Sequence, residues 1–160
     1  MFENYIEDFD REKAISMIME QTGAKSPTAA LAAAGKKIPK ESYYQDKIRR
    51  RLKQAFPEAF CRKISQGVYA EAGIPDLLFV LDGHYFGFEV KRPLVGRLSD
   101  IQKRTIWLIR QAGGTAAVVS WPEEALRIVN DWEREEAFRF FGQAQQDEAV
   151  RHLKQEGRIQ

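Results

Sequence analysis

The stretch GIPDLLFVLDGHYFGFEVK, residues 73–91, decides how this chain folds. It consists of two β-rich runs separated by Asp82-Gly83, a dipeptide that favours a two-residue hairpin turn because both positions tolerate positive φ. Such a turn sets residues 81 and 84 opposite one another. The same register carries Asp76 opposite Glu89, with Cβ atoms on the order of 5 Å apart. Lys91 lies two residues beyond Glu89 and so projects from the same face. A longer loop that included His84-Tyr85 would shift this register.

Opposed carboxylates repel and destabilise a sheet unless something offsets them. A divalent cation does so, and oxygen ligands at this separation suit Mg²⁺ or Mn²⁺. Such an ion lowers the pKa of a bound water and draws charge from a phosphoryl oxygen, with Lys91 placed to orient the water or offset developing charge. A plainer reading makes Asp76 the end of a turn after Pro75, and Glu89 and Lys91 an exposed strand pair. The neighbours oppose it: Leu77, Leu78, Phe79, Val80, Phe86, Phe88 and Val90 make both strands apolar on two faces, and charges in such strands are rarely left unpaired.

Upstream, DREKAISMIMEQTG, with apolar Ala14, Ile15, Met17, Ile18 and Met19, reads as a short helix capped by Asp10. A second helix opens at Ser26-Pro27 and stops at Gly35. After a linker containing Pro39, ESYYQDKIRRRLKQAF reads as a long helix ending at Pro57, with Tyr44, Ile48, Leu52 and Ala55 as its apolar stripe. Lys47, Arg49, Arg50, Arg51 and Lys53 crowd its other surface, as a solvated face or as a rail for phosphates. A strand is expected around residues 62–65, followed by a Gly-containing loop. Downstream, Ser99 opens a helix with apolar Ile101, Ile106, Trp107 and Ile109, stopped by Gly113-Gly114. TAAVVSW is a short buried strand. Pro122 starts a last helix to about Trp132, and the tail is helical but broken near Gly142. The helix between Lys91 and Thr115 makes a crossover that favours a parallel pairing, so the layout is α/β with a mixed sheet.

A length of 160 residues suits one folded domain. No stretch approaches 18 uninterrupted apolar residues, which excludes a membrane helix. The acidic N-terminus lacks the layout of a signal peptide, so the expected location is the cytoplasm or the nucleoid within it. The single cysteine, Cys61, allows neither an internal disulfide nor a cysteine zinc cage and is expected to pack as a small hydrophobe. His84 and His152 form no ligand pair and are expected to face solvent. The net charge of +2 is unevenly spread. Residues 36–121 hold 16 Lys/Arg against 8 Asp/Glu, residues 1–35 hold 3 against 6, and residues 122–160 hold 6 against 9. A basic middle with acidic flanks points to an anionic partner for the middle.

Gly73-Ile74-Pro75-Asp76 followed after twelve residues by Glu89-Val90-Lys91 resembles the signature of the PD-(D/E)xK nuclease superfamily. More narrowly, the chain resembles the VRR-NUC nuclease domains over about residues 40–130. The parts come in that family's order: Glu41 and Gln45 on a helix, Arg62 and Ser65-Gln66-Gly67 before GIPD, FEVKRP after the hairpin, then Leu98-Ser99-Asp100-Ile101-Gln102 and Gly113-Gly114. The resemblance implies a restriction-endonuclease-like core at 40–130; the chain departs from the family's small stand-alone members in a helical N-terminal extension at 1–39 and a helical C-terminal tail at 131–160. The resemblance also implies Asp76, Glu89, the Val90 carbonyl and Glu41 as ligands of Mg²⁺ or Mn²⁺, with Lys91, Gln102 and Glu41 completing the catalytic set. Two of these have competing explanations. Glu41 is also a first-turn acid complementing its helix dipole, with Asp46 as another acid nearby. Ser99-x-x-Gln102 is also a capping box.

The function expected from this resemblance is hydrolysis of DNA phosphodiesters, structure-selective for branched or four-way (Holliday) junctions. The family's stand-alone members, often phage-encoded, resemble dimeric junction-resolving enzymes. Lys47, Arg50, Arg51, Arg62, Arg92, Arg97 and Lys103 are the expected contacts to DNA. Alternatives are a monomeric flap or restriction-like nuclease, and a nuclease-fold protein acting on a protein partner through its acidic flanks. Removing residues 1–35 is expected to spare cleavage in the first case and abolish function in the last.

Overall fold

Asp82 and Gly83 both take positive φ, 49° and 78°, the type I′ geometry whose twist matches that of the strands it joins. The strands are β2 (Leu77–Leu81) and β3 (His84–Val90), paired antiparallel from Leu81↔His84 to Leu77↔Phe88. This is the register expected of a two-residue turn, and its next pair along is Asp76 with Glu89. In the computed structural model the described residues are 11–64 and 73–155. The Asp10 cap, the Ser65-Gln66-Gly67 motif and the loop that follows it lie outside them.

Strand β1 (Phe60–Lys63) pairs antiparallel with β2, and β4 (Thr115–Val119) pairs parallel with β3, giving the sheet order β1-β2-β3-β4. The parallel pair is connected through a helix, α4 (Asp100–Gln111), as a crossover requires. Helices α1 (Arg11–Thr22), α2 (Pro27–Lys37) and α3 (Glu41–Ala55) precede the sheet and α5 (Pro122–Gln155) follows it. This is the α/β layout expected of a restriction-endonuclease-like core, a small mixed sheet flanked by helices. No helix among the described residues is long and apolar enough to cross a membrane.

Because side chains alternate, one face of the hairpin carries Leu77, Phe79, Leu81, Phe86, Phe88 and Val90, all buried. Helix α3 belongs to this core: Ile48 and Leu52 are fully buried, and Phe56 stands edge-on to Phe79 at 5.8 Å between centroids. Burial of each such side chain contributes roughly 1.5–3 kcal/mol. The opposite face begins with Asp76, Glu89 and Lys91. Cys61 is buried in β1, as expected, and burial pushes its thiol pKa up.

Several local readings are corrected. Gly35 does not stop α2, which runs on to Lys37 and ends where Ile38 precedes Pro39, a position that disfavours helix. Ala55 is exposed, and Phe56 takes its place in the stripe together with a buried Gln45. On α4 only Ile106 is buried; Ile101 and Trp107 are 55% and 56% exposed. His84 is half-buried, its Nε2 2.9 Å from Thr115 Oγ1 across the parallel pair. Helix α5 is unbroken at Gly142, because a glycine without positive φ costs a helix only about 1 kcal/mol. Residues 127–160 form a compact unit of their own. Within it, Phe138 and Phe140 are exposed, and Arg134 and Arg139 pair with Asp131 and Glu136.

After Lys91 the backbone reverses tightly, with Leu94 at φ 64° and the Gly96 N–H donating to Arg92 O at 2.9 Å. A Cβ on Gly96 would stand 2.7 Å from both Arg92 O and Lys91 Cβ. Backbone cannot yield as a flexible side chain can. Gly96→Ala is therefore expected to lower stability by about 1–3 kcal/mol, read as a fall in thermal midpoint; an unchanged midpoint would show that the reversal is not rigid.

Candidate active site

Each side chain at the end of the hairpin is placed by a different element. Pro75 is buried and a Cβ on Gly87 would lie 2.9 Å from its ring, so the glycine lets the Pro75-Asp76 turn settle on β3. Asp76 is thereby 5% exposed, its Oδ2 accepting from the Val90 N–H at 2.8 Å, while its carbonyl accepts from Ile64. Glu89, on the central strand β3, is 1% exposed. Its Oε1 accepts from Lys91 Nζ at 2.5 Å and from Gln102 Nε2.

Helix α4 supplies that second donor through its N-terminal cap. Ser99 Oγ accepts from the Gln102 N–H, and the Ser99 N–H donates to Gln102 Oε1 at 2.9 Å. The amide oxygen is thus held by the cap, which leaves the amide NH₂ to face Glu89. Gln102 therefore caps its helix with one end of its side chain and donates to Glu89 with the other. Glu41, first residue of α3, brings Oε2 to 3.7 Å from Lys91 Nζ. Asp46 pairs with Lys63 on β1 at 3.7 Å, so of the two acids Glu41 is the one at Lys91.

Burial dominates the electrostatics. It raises Glu89 from 4.5 to about 7, opposed by the Lys91 hydrogen bond and assisted by the negative charges of Asp76 and Glu41. Asp76 is raised by burial, against the Val90 N–H and Lys91. Glu41 is also raised by burial, with Lys91 opposing. Two donors converge on Glu89 Oε1, yet Glu89 Oε2 is buried without a hydrogen-bond partner. A buried acceptor without a donor costs on the order of 1–3 kcal/mol, and a hard cation held by Glu89 and Asp76 would remove that cost. The residues present therefore fit Mg²⁺ or Mn²⁺. Among the described residues no three His, Cys, Asp or Glu side chains converge as a ready-made ligand set; Glu41 meets the carboxylate pair across the Lys91 ammonium instead.

No family model matches the chain, and no curated protein does. The chain is similar to a VRR_NUC domain. That solved structure is 23% identical, and the match covers 54% of this chain and 95% of that one at a TM-score of 0.45. The residues named from the VRR-NUC resemblance, Asp76, Glu89, Lys91, Gln102 and Glu41, stand at one end of the hairpin. The residues expected to meet DNA are more dispersed. Lys47, Arg50, Arg51, Arg62, Arg97 and Lys103 are exposed, with Lys47 over the Tyr43 ring, Arg62 over Phe60, and Lys103 paired to Asp100. Arg92 departs from this set, because its guanidinium is turned to backbone carbonyls of Gly35, Ile38 and Pro39. No local signal in the sequence pairs Arg92 with residues more than fifty positions away.

Proposed function

We propose that this chain is a metal-dependent endonuclease that hydrolyses DNA phosphodiesters. The observation that carries the reading is Glu89 Oε2, a buried carboxylate oxygen without a donor, on a side chain that feels the charge of Asp76 and whose other oxygen is held by Lys91. Asp76 and Glu89, with the Val90 carbonyl, would hold Mg²⁺ or Mn²⁺. When bound, such an ion supplies Lewis-acid polarisation of the phosphoryl oxygen and a more acidic water. Lys91 holds its ammonium where it orients a water or offsets charge developing on the phosphate. Gln102 keeps Glu89 Oε1 occupied and so leaves Oε2 as the oxygen that would be available to an ion. Glu41 sets the position of the Lys91 ammonium.

The exposed cations of α3 support contact with a phosphate backbone, which carries no sequence information. The resemblance to stand-alone VRR-NUC members extends the proposal to branched DNA, a homodimer and a place in the cytoplasm. Within that proposal the functional core is residues 40–130, with 1–39 and 131–160 as extensions.

The test is cleavage of four-way, flap and linear DNA with Mg²⁺ or Mn²⁺, wild type against Glu89→Ala. Wild type is expected to cut the four-way junction best. Glu89→Ala is expected to lose at least ~10³-fold, the scale of several kcal/mol of transition-state stabilisation. Equal behaviour of the two proteins would remove the mechanism; a preference for flap or linear DNA would favour the monomeric alternative.

A further inference from the structure

Arg92 directly follows Lys91, and its guanidinium spans to the far end of the N-terminal helical pair. Nε donates to Pro39 O at 2.9 Å, and Nη2 donates to Ile38 O at 2.7 Å and to Gly35 O. These carbonyls close α2 and lead into α3, whose first residue is Glu41. The start of α3 has no side-chain cap of its own, because Lys40 at the N-cap position makes no such bond. The segment after Arg92 is also contacted from α1, where Arg11 donates to Leu94 O at 3.3 Å. The N-terminal helices therefore contact the segment that follows the site lysine, and removing residues 1–35 takes away two of these hydrogen bonds, Arg11 to Leu94 O and Arg92 to Gly35 O.

We propose that Arg92 is a positioning residue: by tying the end of β3 to the α2–α3 connection, it fixes where Glu41 stands relative to Lys91. This rests on the reading of the Asp76–Glu89–Lys91 cluster as a nuclease centre. The planar fork of arginine reaches several carbonyls at once with charge-assisted bonds, whereas lysine presents a single point charge. Arg92→Lys thus keeps the charge and loses the fork.

The experiment uses the full chain as wild type, Arg92→Lys, Arg92→Ala, Glu41→Gln and the Arg92→Lys/Glu41→Gln double variant. It measures kcat and KM on junction DNA with Mn²⁺, and amide hydrogen exchange of residues 41–45 in metal-free protein. Arg92→Lys is expected to lower kcat about 10- to 100-fold, the scale of a misplaced group, with KM within about twofold. In the Glu41→Gln background it is expected to add no further loss, because both changes remove the same arrangement. Exchange at 41–45 is expected to speed up. A rise in KM with kcat intact would make Arg92 a DNA contact and overturn the proposal, as would losses that multiply in the double variant. If wild type cuts no DNA, the nuclease reading fails on its own, and unchanged exchange in Arg92→Lys then overturns the clamp separately. Should Arg92→Ala not fold, the lysine variant decides.

Discussion

Glu89→Gln is expected to make the metal-free protein more stable at pH 8 while abolishing cleavage. Burial holds the Glu89 carboxyl at about 7 instead of 4.5, so the folded protein binds this proton more tightly than the unfolded chain. The sign follows from linkage: stability that depends on the proton is complete below about 4.5, declines as pH rises, and is gone above about 7. The difference corresponds to about 3 kcal/mol, or roughly 5–10 °C in thermal midpoint for a chain of this size. Glutamine keeps the acceptor for Lys91 and Gln102 but carries no charge to desolvate. Melting curves at pH 4 and pH 8 check this, with the gain present only at pH 8. Added Mn²⁺ should raise the midpoint of wild type and leave Glu89→Gln unmoved. A variant less stable than wild type at pH 8 would show that Glu89 is well satisfied without a metal.

Lys91→Met is expected to move stability the other way and also remove activity. The ammonium is nearly buried, 2.5 Å from Glu89 Oε1 and 3.7 Å from Glu41 Oε2. Methionine retains most of the stem and removes the ammonium that pairs with Glu89 and Glu41. Breaking a buried pair by deleting one partner costs about 3–5 kcal/mol where the other must stay charged. Here Glu89 can take up a proton instead, so the loss at pH 8 is expected nearer 1–3 kcal/mol and should shrink toward pH 5. Cleavage is expected to fall ~10²–10³-fold, the scale for one electrostatic group aimed at developing charge. Thermal melts against pH and single-turnover cleavage rates check both parts. A stable variant with near-wild-type rates would leave Lys91 without a role in either.

The two variants separate the hydrogen-bonding and charge roles of the cluster. Glu89→Gln removes a buried charge that Lys91 offsets only in part, whereas Lys91→Met removes that offset. A site maintained only for packing would lose stability in both cases.

Asp82-Gly83 by itself determined the hairpin and its register, because a two-residue type I′ turn leaves no freedom in which residues oppose one another. From that register alone Asp76 met Glu89, and the period of two put Lys91 on their face. Local chemistry also determined the Ser99 cap, the crossover helix and the burial of Cys61. Tertiary structure decided which periodic apolar positions are covered: Trp107 and Ile101 fit a helical stripe and remain exposed, while Gln45 and Phe56 are buried. It decided between Glu41 and Asp46, which a helix turn cannot separate but the placement of Lys91 and Lys63 does. It turned Arg92 from an expected phosphate contact into a clamp on carbonyls contributed by residues 35–39. Turns and caps are contracts between residues a few positions apart, so the sequence can state them; a side chain whose partners lie half a chain away acquires its role only when the chain has folded.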